Sequence, residues 1–287
     1  METLIISSLV VLGVLALVLG IILTIASKVF HVNIDPRIEQ VEGLLPGMNC
    51  GACGLAGCGA AAEKIVAGET SPTVCPVCSE DLRAQIFRLL GRAVETRDAA
   101  VARMLCGGGT NCTDKEAYHG VADCRAAVIV HGGPKSCEYA CVGLGSCVGA
   151  CPFEAIFMGG DGLPRIIEER CTSCGACERI CPRKVIAVMP KAHVVWVKCQ
   201  SHDPGKVVNK ICKTGCIACK RCEKACPKDA IHVIDNLAVI DYEKCALCGE
   251  CAKVCPKKTI VDLRVRRGLP VAECPAASQG VSAGAPA

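Results

Sequence analysis

The chain opens with an apolar stretch, Leu4 to Ser27, in which no side chain is charged over 24 residues. As a helix this stretch would measure about 36 Å, enough to cross a hydrocarbon core of about 30 Å with some tilt. A cleaved signal peptide would carry a basic start and a shorter apolar stretch, whereas here only Glu2 precedes the stretch and Lys28 is the first cation after it. We therefore predict a retained transmembrane helix within residues 1–30. Lys28 and Arg37 favour the cytoplasmic side for the rest of the chain.

Two further segments carry a helical pattern. Residues 60–67 are rich in alanine, the residue with the highest helix propensity. Residues 80–105 are predicted to be helical because apolar side chains recur there at helical spacing: Leu82, Ile86, Leu89, Leu90 and Val94. We expect this second segment to pack between domains.

Short apolar runs follow the Cys-Pro pairs of the C-terminal half and predict small β-hairpins. The expected hairpins join residues 155–157 to 165–167, 185–188 to 194–197, and 230–234 to 238–240, each across a turn with Gly, Pro or Asp-Asn. Helical segments and antiparallel hairpins in separate parts of the chain indicate an α+β fold.

Composition and charge change this picture. Aromatic residues make up only 3% of the 287 residues, while 27 are cysteines, so we expect metal clusters to hold the loops where a conventional core is missing. Residues 1–198 carry 18 Lys+Arg against 19 Asp+Glu, and residues 199–287 carry 14 against 9, which gives net charges of −1 and +5. The basic end is either solvated surface or a surface that attracts an acidic partner. Without interleaved aromatics or a known module it does not indicate nucleic-acid binding.

The cysteines carry the chemistry. Three runs follow the spacing C-x2-C-x2-C-x3-C-P, which is the bacterial ferredoxin run for [4Fe–4S] clusters; they are Cys171, Cys174, Cys177 and Cys181; Cys216, Cys219, Cys222 and Cys226; and Cys245, Cys248, Cys251 and Cys255. A variant run holds Cys137, Cys141, Cys147 and Cys151. Repetition of this spacing predicts an electron-transfer protein.

In a two-cluster module the fourth cysteine of each run ligates the other cluster. We therefore pair the runs crosswise. The predicted ligand sets are Cys137, Cys141 and Cys147 with Cys181; Cys171, Cys174 and Cys177 with Cys151; Cys216, Cys219 and Cys222 with Cys255; and Cys245, Cys248 and Cys251 with Cys226.

A fifth cluster is predicted nearer the N-terminus, on Cys50, Cys53, Cys58 and Cys75. Glycines between these cysteines allow the backbone to close tightly around a cluster. A sixth is a further option, on Cys106, Cys112 and Cys124 with Cys199 or Cys212 as the fourth ligand. Five clusters are thus expected, and six if this last group binds one.

Two other interpretations of the cysteines compete with clusters. Zinc also binds C-x2-C pairs, but its sites need only four ligands, usually in two separated pairs. A disulfide framework is typical of small secreted domains, and the cysteines within each run lie too close together to act as staples.

The motifs divide the chain into an anchor (1–30), a small helical [4Fe–4S] domain (31–79), a helical and Gly-rich linker (80–136), two tandem ferredoxin-like 2[4Fe–4S] modules (137–198 and 199–263) and a disordered tail (264–287).

Together these motifs resemble the B subunit of the Rnf ion-translocating electron-transport complex. The resemblance rests on the N-terminal apolar span, on Cys50-x2-Cys53-Gly-x2-Gly-Cys58 with Cys75, and on the ferredoxin repeats. The segment 210–227 looks like the longer B subunits, which carry two double-cluster modules. The resemblance covers nearly the whole chain except the tail.

The resemblance implies an iron–sulfur subunit of an enzyme that couples electron flow from ferredoxin to NAD with sodium or proton translocation. Its implied partners are the other subunits and soluble ferredoxin as electron donor, at the prokaryotic inner membrane. NAD and flavin would bind other subunits, in keeping with a sequence that lacks both G-x-G-x-x-G after a strand and G-x-x-x-x-G-K-[ST]. No catalytic residue is expected here. A polyferredoxin subunit of a hydrogenase or quinone reductase, and a zinc-binding scaffold, are the alternatives.

Ferredoxin is expected to dock on the basic C-terminal module, with Arg264, Arg266 and Arg267 as candidates.

Overall fold

The computed structural model describes residues 2–29, 35–96 and 98–267. Helix α1, Glu2–Val29, is the longest element. Its apolar side chains are exposed: Leu12, Leu17 and Leu23 each keep more than 60% of their surface open. Within the described residues, no helix combines the length and the apolar character that crossing a membrane requires.

A small helical domain follows, built from α2 (Pro36–Leu44), α3 (Cys58–Ala67), a 3₁₀ turn (Pro72–Val74) and α4 (Glu80–Leu89). The α3 helix confirms the one predicted at residues 60–67. The side chains of Asp35 and Ser79 accept backbone N–H groups at the starts of α2 and α4, which satisfies donors that a helix leaves unpaired. The three helices bury Val41, Ile65 and Ile86 completely.

The C-terminal part is made of short strands and short helices. The strands are β1 (Ala100–Met104), β2 (Ile156–Met158), β3 (Pro164–Ile166), β4 (Ile186–Pro190), β5 (Val195–Val197), β6 (Ile231–Ile234), β7 (Leu237–Ile240) and β8 (Ile260–Asp262). The helices are α5 (Cys124–Ile129), α6 (Ser146–Gly149), α7 (Ala176–Ile180), α8 (Gly205–Ile211), α9 (Arg221–Lys224), α10 (Glu250–Lys253) and α11 (Leu263–Arg267), with a 3₁₀ turn at Gly109–Asn111. Within the described residues the strands pair antiparallel, as β1–β4, β2–β3, β5–β8 and β6–β7.

Two of the three predicted hairpins are confirmed, β2–β3 and β6–β7. The third is wrong, because β4 pairs with β1 and β5 pairs with β8. The helix predicted over residues 80–105 is also wrong beyond Leu89. Gly91 adopts a left-handed backbone (φ 63°), and the apolar residues after it form β1, whose pairing with β4 buries Val101 and Met104.

The two ferredoxin-like modules repeat one order: a strand, a cysteine run, a hairpin, a second run and a closing strand. The first module spans β1 to β4 and the second spans β5 to β8. Their registers correspond, since Met104 faces Ile186 in the first and Val197 faces Ile260 in the second. The first module therefore includes β1, which the sequence division had placed in the linker.

The modules are joined along segments 106–113 and 198–215. Backbone hydrogen bonds run from the amide of Gly107 to Lys198 (3.0 Å), from Thr113 to Ile211 (2.9 Å) and from Lys213 to Asn111 (3.0 Å). Residues of α8 and its C-terminal end pack into the core of the first module. The pair is thus one packed unit. Beyond it, α11 occupies the start of the segment expected to be a disordered tail, and residues 268–287 lie outside the described residues.

Candidate iron–sulfur sites

The three regular cysteine runs share one backbone shape. In each, three residues have positive φ at the same places: two after the first cysteine, two before the third, and three after the fourth. These are Ser173, Gly175 and Lys184; Ala218, Lys220 and Asp229; and Leu247, Gly249 and Lys258. Most of them are not glycine, so the left-handed turns come from the shape of the loop and not from glycine's freedom.

The variant run has the same shape, which gives its true alignment. Gly143, Gly145 and Glu154 have positive φ at the three matching places. Cys141, Cys147 and Cys151 therefore correspond to the first, third and fourth cysteines of a regular run, and Leu144 stands where the second would be. Cys137 lies before the run.

In the second module the structure groups the cysteines as the crosswise pairing expects. Cys216, Cys219, Cys222 and Cys255 line one cavity, and Cys226, Cys245, Cys248 and Cys251 line another. The Sγ of each run's last cysteine accepts the amide four residues on, from Ala230 to Cys226 (3.3 Å) and from Thr259 to Cys255 (3.4 Å). Amide hydrogen bonds to sulfur are one of the factors that set cluster potentials.

The first module differs from the expected grouping. Cys141, Cys147 and Cys181 line one cavity with Cys124, and not with Cys137. The reason is Leu144, which leaves the run one thiol short, and α5 brings Cys124 to the gap. In the sequence, Leu144 stands where a regular run has its second cysteine, and this gap is the signal that a ligand must come from elsewhere.

Local hydrogen bonds hold Cys124 in place. Asp123 caps α5 by accepting the amides of Arg125 and Ala126. The Ser146 hydroxyl joins the two helix starts, since it accepts the Cys124 amide (2.7 Å) and donates to Asp123 (3.1 Å). These bonds fix Cys124 beside the α6 residue Cys147.

The remaining run of the first module holds Cys171, Cys174 and Cys177. The charges of Cys171 and Cys174 act on Cys177, so the three thiols lie close together. The Ala102 amide of β1 donates to Cys171 (3.5 Å), and the Ala155 amide donates to Cys151 (3.4 Å). Cys151 packs with Cys171 and Cys177 against the first module's core, which is compatible with the expected partnership.

In the helical domain, two of the predicted ligands lie in the loop before α3, Cys58 is its first residue and Cys75 follows the 3₁₀ turn. The Cys58 amide donates to the Asn49 side chain (2.7 Å), which fixes the loop leading into the helix. Cys53 and Cys58 pack against a core that contains Cys75, whereas Cys50 is exposed. Cys78 is buried nearby. Burial is the main cause that raises the pKa of its thiol, and the charges of the neighbouring Cys75 and Cys58 raise it further.

A further cavity lies at the junction of the modules and is lined by five cysteines: Cys106, Cys112, Cys137, Cys199 and Cys212. The sequence grouped Cys106, Cys112 and Cys124 with Cys199 or Cys212. The structure places Cys124 elsewhere, adds Cys137, and brings in both Cys199 and Cys212.

Burial governs the protonation of these thiols. It is the main cause that raises the pKa of Cys141, Cys177 and Cys251 to about 12 each, with neighbouring thiolates adding to it. Cys112 and Cys212 lie opposite each other, and their interaction lowers the pKa of Cys212 and raises that of Cys112. Because thiols bind metal as thiolates, ligation at the buried sites must release protons.

All 26 cysteines that the structure describes are free thiols. Within the same residues, no group of three or more His, Cys, Asp or Glu side chains is arranged to hold a single metal ion. Four thiols around a cavity suit a cubane, whose ligands bind at separate corners of one body.

Comparison with known families agrees with this chemistry. An Fe-S cluster family matches residues 45–77, and 4Fe-4S dicluster domain families match residues 137–186 and 215–259. The chain is 44% identical over 236 residues to the B subunit of the Na(+)-translocating ferredoxin:NAD(+) oxidoreductase complex of Acetobacterium woodii, covering 82% of this chain and 71% of the relative.

Two more relatives are similar along most of their length. The B subunit of an ion-translocating oxidoreductase complex of Methanosarcina acetivorans is 45% identical, with 85% of this chain and 93% of the relative covered. The B subunit of a proton-translocating ferredoxin:NAD(+) oxidoreductase complex of Clostridium ljungdahlii is 43% identical, with 83% and 84% covered. The chain belongs to this family of B subunits. The resemblance to the Rnf family is therefore confirmed, and so is the prediction of an iron–sulfur electron-transfer subunit of an ion-translocating oxidoreductase.

Proposed function

We propose that this protein relays electrons from reduced ferredoxin to the other subunits of an Rnf-type complex through at least five [4Fe–4S] clusters. The proposed ligand sets are Cys50, Cys53, Cys58 and Cys75; Cys124, Cys141, Cys147 and Cys181; Cys151, Cys171, Cys174 and Cys177; Cys216, Cys219, Cys222 and Cys255; and Cys226, Cys245, Cys248 and Cys251. The observation that carries the proposal is the common backbone of the four cysteine loops. The same backbone is kept in the variant run, where Cys141, Cys147 and Cys181 line one cavity with Cys124.

Ferredoxin is proposed to dock on the second module beside Cys219. That cysteine is exposed, and four exposed basic residues lie within six positions of it in the sequence: Lys213, Lys220, Arg221 and Lys224. An acidic protein would be attracted to this surface and would approach the cluster closely.

Arg264 is a poor docking residue, although the sequence suggested it. Its guanidinium is only 13% exposed, pairs with Asp262 (2.8 Å) and donates to the carbonyl of Leu247. The side chains of Arg266 and Arg267 lie outside the described residues.

We also propose that α1 anchors the protein in the membrane, with the cluster-binding part in the cytoplasm. Support comes from the uncharged run Leu4 to Ser27 and from the exposed apolar side chains of α1. Because no described helix qualifies as a span, fractionation decides this point. A chain lacking residues 1–30 should leave the membrane fraction in cells without partner subunits, and its retention there would contradict the anchor.

The relay is tested by ferredoxin oxidation in the assembled complex. The triple variant Lys213→Glu, Arg221→Glu and Lys224→Glu should lower the rate at low salt about tenfold and flatten its salt dependence. Lys191→Glu, on the exposed end of the first module's closing sheet, is the matched control and should keep the rate.

The clusters are tested by metal analysis. Wild-type chain should carry at least about 20 irons, four per cluster. A few metal ions with little acid-labile sulfide would overturn the function, whereas an unchanged triple variant would overturn only the docking surface.

A further inference from the structure

The five cysteines at the junction of the modules are the one thiol cluster, among the residues that the structure describes, that the relay above does not use. Two of them follow the first strand of each module by two residues, Cys106 after Met104 and Cys199 after Val197. Two others precede the first cysteine of a run by four residues, Cys137 before Cys141 and Cys212 before Cys216. The junction therefore receives one matching pair of thiols from each module, related by the internal repeat.

The two thiols that follow the first strands accept the same hydrogen bond. Each sulfur accepts the amide two residues further on, from Gly108 to Cys106 (3.3 Å) and from Ser201 to Cys199 (3.5 Å). Cys245, the first cysteine of a regular run, accepts the Leu247 amide in the same way (3.4 Å). Cys106 and Cys199 thus receive the hydrogen bond that Cys245, a proposed cluster ligand, receives in a regular loop.

A second hydrogen bond ties the junction to the neighbouring site of the second module, since the Cys216 amide donates to the sulfur of Cys199 (3.3 Å). On the side of the first module, Cys106 lies close enough to Cys141 for its charge to act on that thiol. Cys141 and Cys216 are the first ligands of the adjoining proposed clusters, one in each module. A cluster at the junction would lie between them.

Cys112 is the exception among the five. The second module has Gly205 at the matching distance after Cys199, so Cys112 has no counterpart. Its thiol donates to the carbonyl oxygen of Thr113 (3.7 Å). Cys112 therefore belongs to neither of the two matching pairs.

We propose that Cys106, Cys137, Cys199 and Cys212 hold a sixth [4Fe–4S] cluster at the junction of the two modules, beside the non-ligating Cys112. This inference rests on the proposed function, and it makes the junction cluster the link by which electrons pass from the second module to the first. Neither module holds the site alone, because each supplies two of the four thiols.

The test is iron and acid-labile sulfide per chain, with native mass spectrometry under anaerobic conditions to count intact clusters. Full-length wild type should carry about 24 irons as six clusters. Cys137→Ala and Cys199→Ala should each fall to about 20, with five intact clusters, whereas Cys112→Ala should stay at about 24. Cys199→Ser is a second variant, in which the hydroxyl can keep the cluster but should change its electron paramagnetic resonance signal.

The outcomes separate this inference from the relay. Wild type with about 20 irons and normal ferredoxin oxidation would overturn the junction cluster and leave the relay intact. Loss of four irons from Cys112→Ala, with none from Cys199→Ala, would overturn the ligand set. Little iron and sulfide in wild type would overturn the relay itself.

Discussion

The two ferredoxin-like modules have the same order of elements but obtain one ligand differently. In the second module, Cys219 stands within its run. In the first, Leu144 occupies that place, and the thiol comes from Cys124 on a separate helix. The comparison shows that the backbone shape of the loop marks the site more faithfully than cysteine spacing does, since the left-handed residues persist where the cysteine is lost.

The modules also differ where their first strands meet. Arg103 of β1 corresponds in register to Trp196 of β5. The Arg103 guanidinium lies 4.8 Å from the Trp196 ring centroid and pairs with Glu168, while the indole N–H donates to the carbonyl of Met104 (3.1 Å). One repeated position thus carries a cation in one module and its aromatic partner in the other, which ties the two together.

The largest expected effect tests whether Cys124 ligates a cluster in the first module as Cys219 does in the second. Cys124→Ala should lose one cluster, about four irons, and Cys219→Ala should lose the same number from the second module. Iron and sulfide analysis measures the loss, and electron paramagnetic resonance spectra of the two reduced variants show whether different signals are lost. Cys78→Ala is the control and should keep its iron. Full iron in Cys124→Ala would contradict the assignment of Cys124 as a ligand.

The next effect concerns the contact between Arg103 and Trp196. Arg103→Leu should lower the free energy of unfolding by about 3 kcal/mol, because it removes a 5% exposed guanidinium from Glu168 and from the indole face. Anaerobic urea unfolding, followed by loss of cluster absorbance, measures it. Arg165→Leu is the matched control. Its pair with Asp161 is more exposed (37% and 29%), so it should cost only about 0.5 kcal/mol. Equal losses from both variants would remove the special role of Arg103.

The smallest effect is on a reduction potential in the second module. Burial raises the pKa of the Cys245 thiol, and the charge of Arg264 acts on that thiol in the opposite direction. Arg264→Gln should therefore lower the potential of the cluster on Cys226, Cys245, Cys248 and Cys251 by on the order of 30 mV, since a reduced cluster carries one more negative charge. Redox titration followed by electron paramagnetic resonance gives the shift. Lys253→Gln, at 56% exposure, should change it less because water and salt screen its charge. A rise in potential in Arg264→Gln would contradict the sign.

Much of the site could be predicted from the sequence, because its cysteine runs are local. The two hairpins between runs and the α3 helix follow from residues close together in the chain, and the grouping in the second module follows from the crosswise rule for two regular runs. The strand pairs β1–β4 and β5–β8 could not be predicted, because they join residues far apart in the chain. The sequence of Ala100–Met104 does not indicate which strand it pairs with. Cys124 was assigned to a different group for the same reason: its position depends on Asp123 and Ser146, which meet only in the fold.

The left-handed residues of the cluster loops have a consequence for how the chain is made. Eight of them are not glycine: Glu154, Ser173, Lys184, Ala218, Lys220, Asp229, Leu247 and Lys258. Each such residue costs about 1 kcal/mol of backbone conformational energy. Closure of the loops is therefore unfavourable unless bonds between thiolate and iron stabilise the closed form. The iron–sulfur assembly machinery of the cell must therefore reach a newly synthesised chain while its loops are still open, and shortage of iron should appear as proteolysis of this protein before it appears as a slow enzyme.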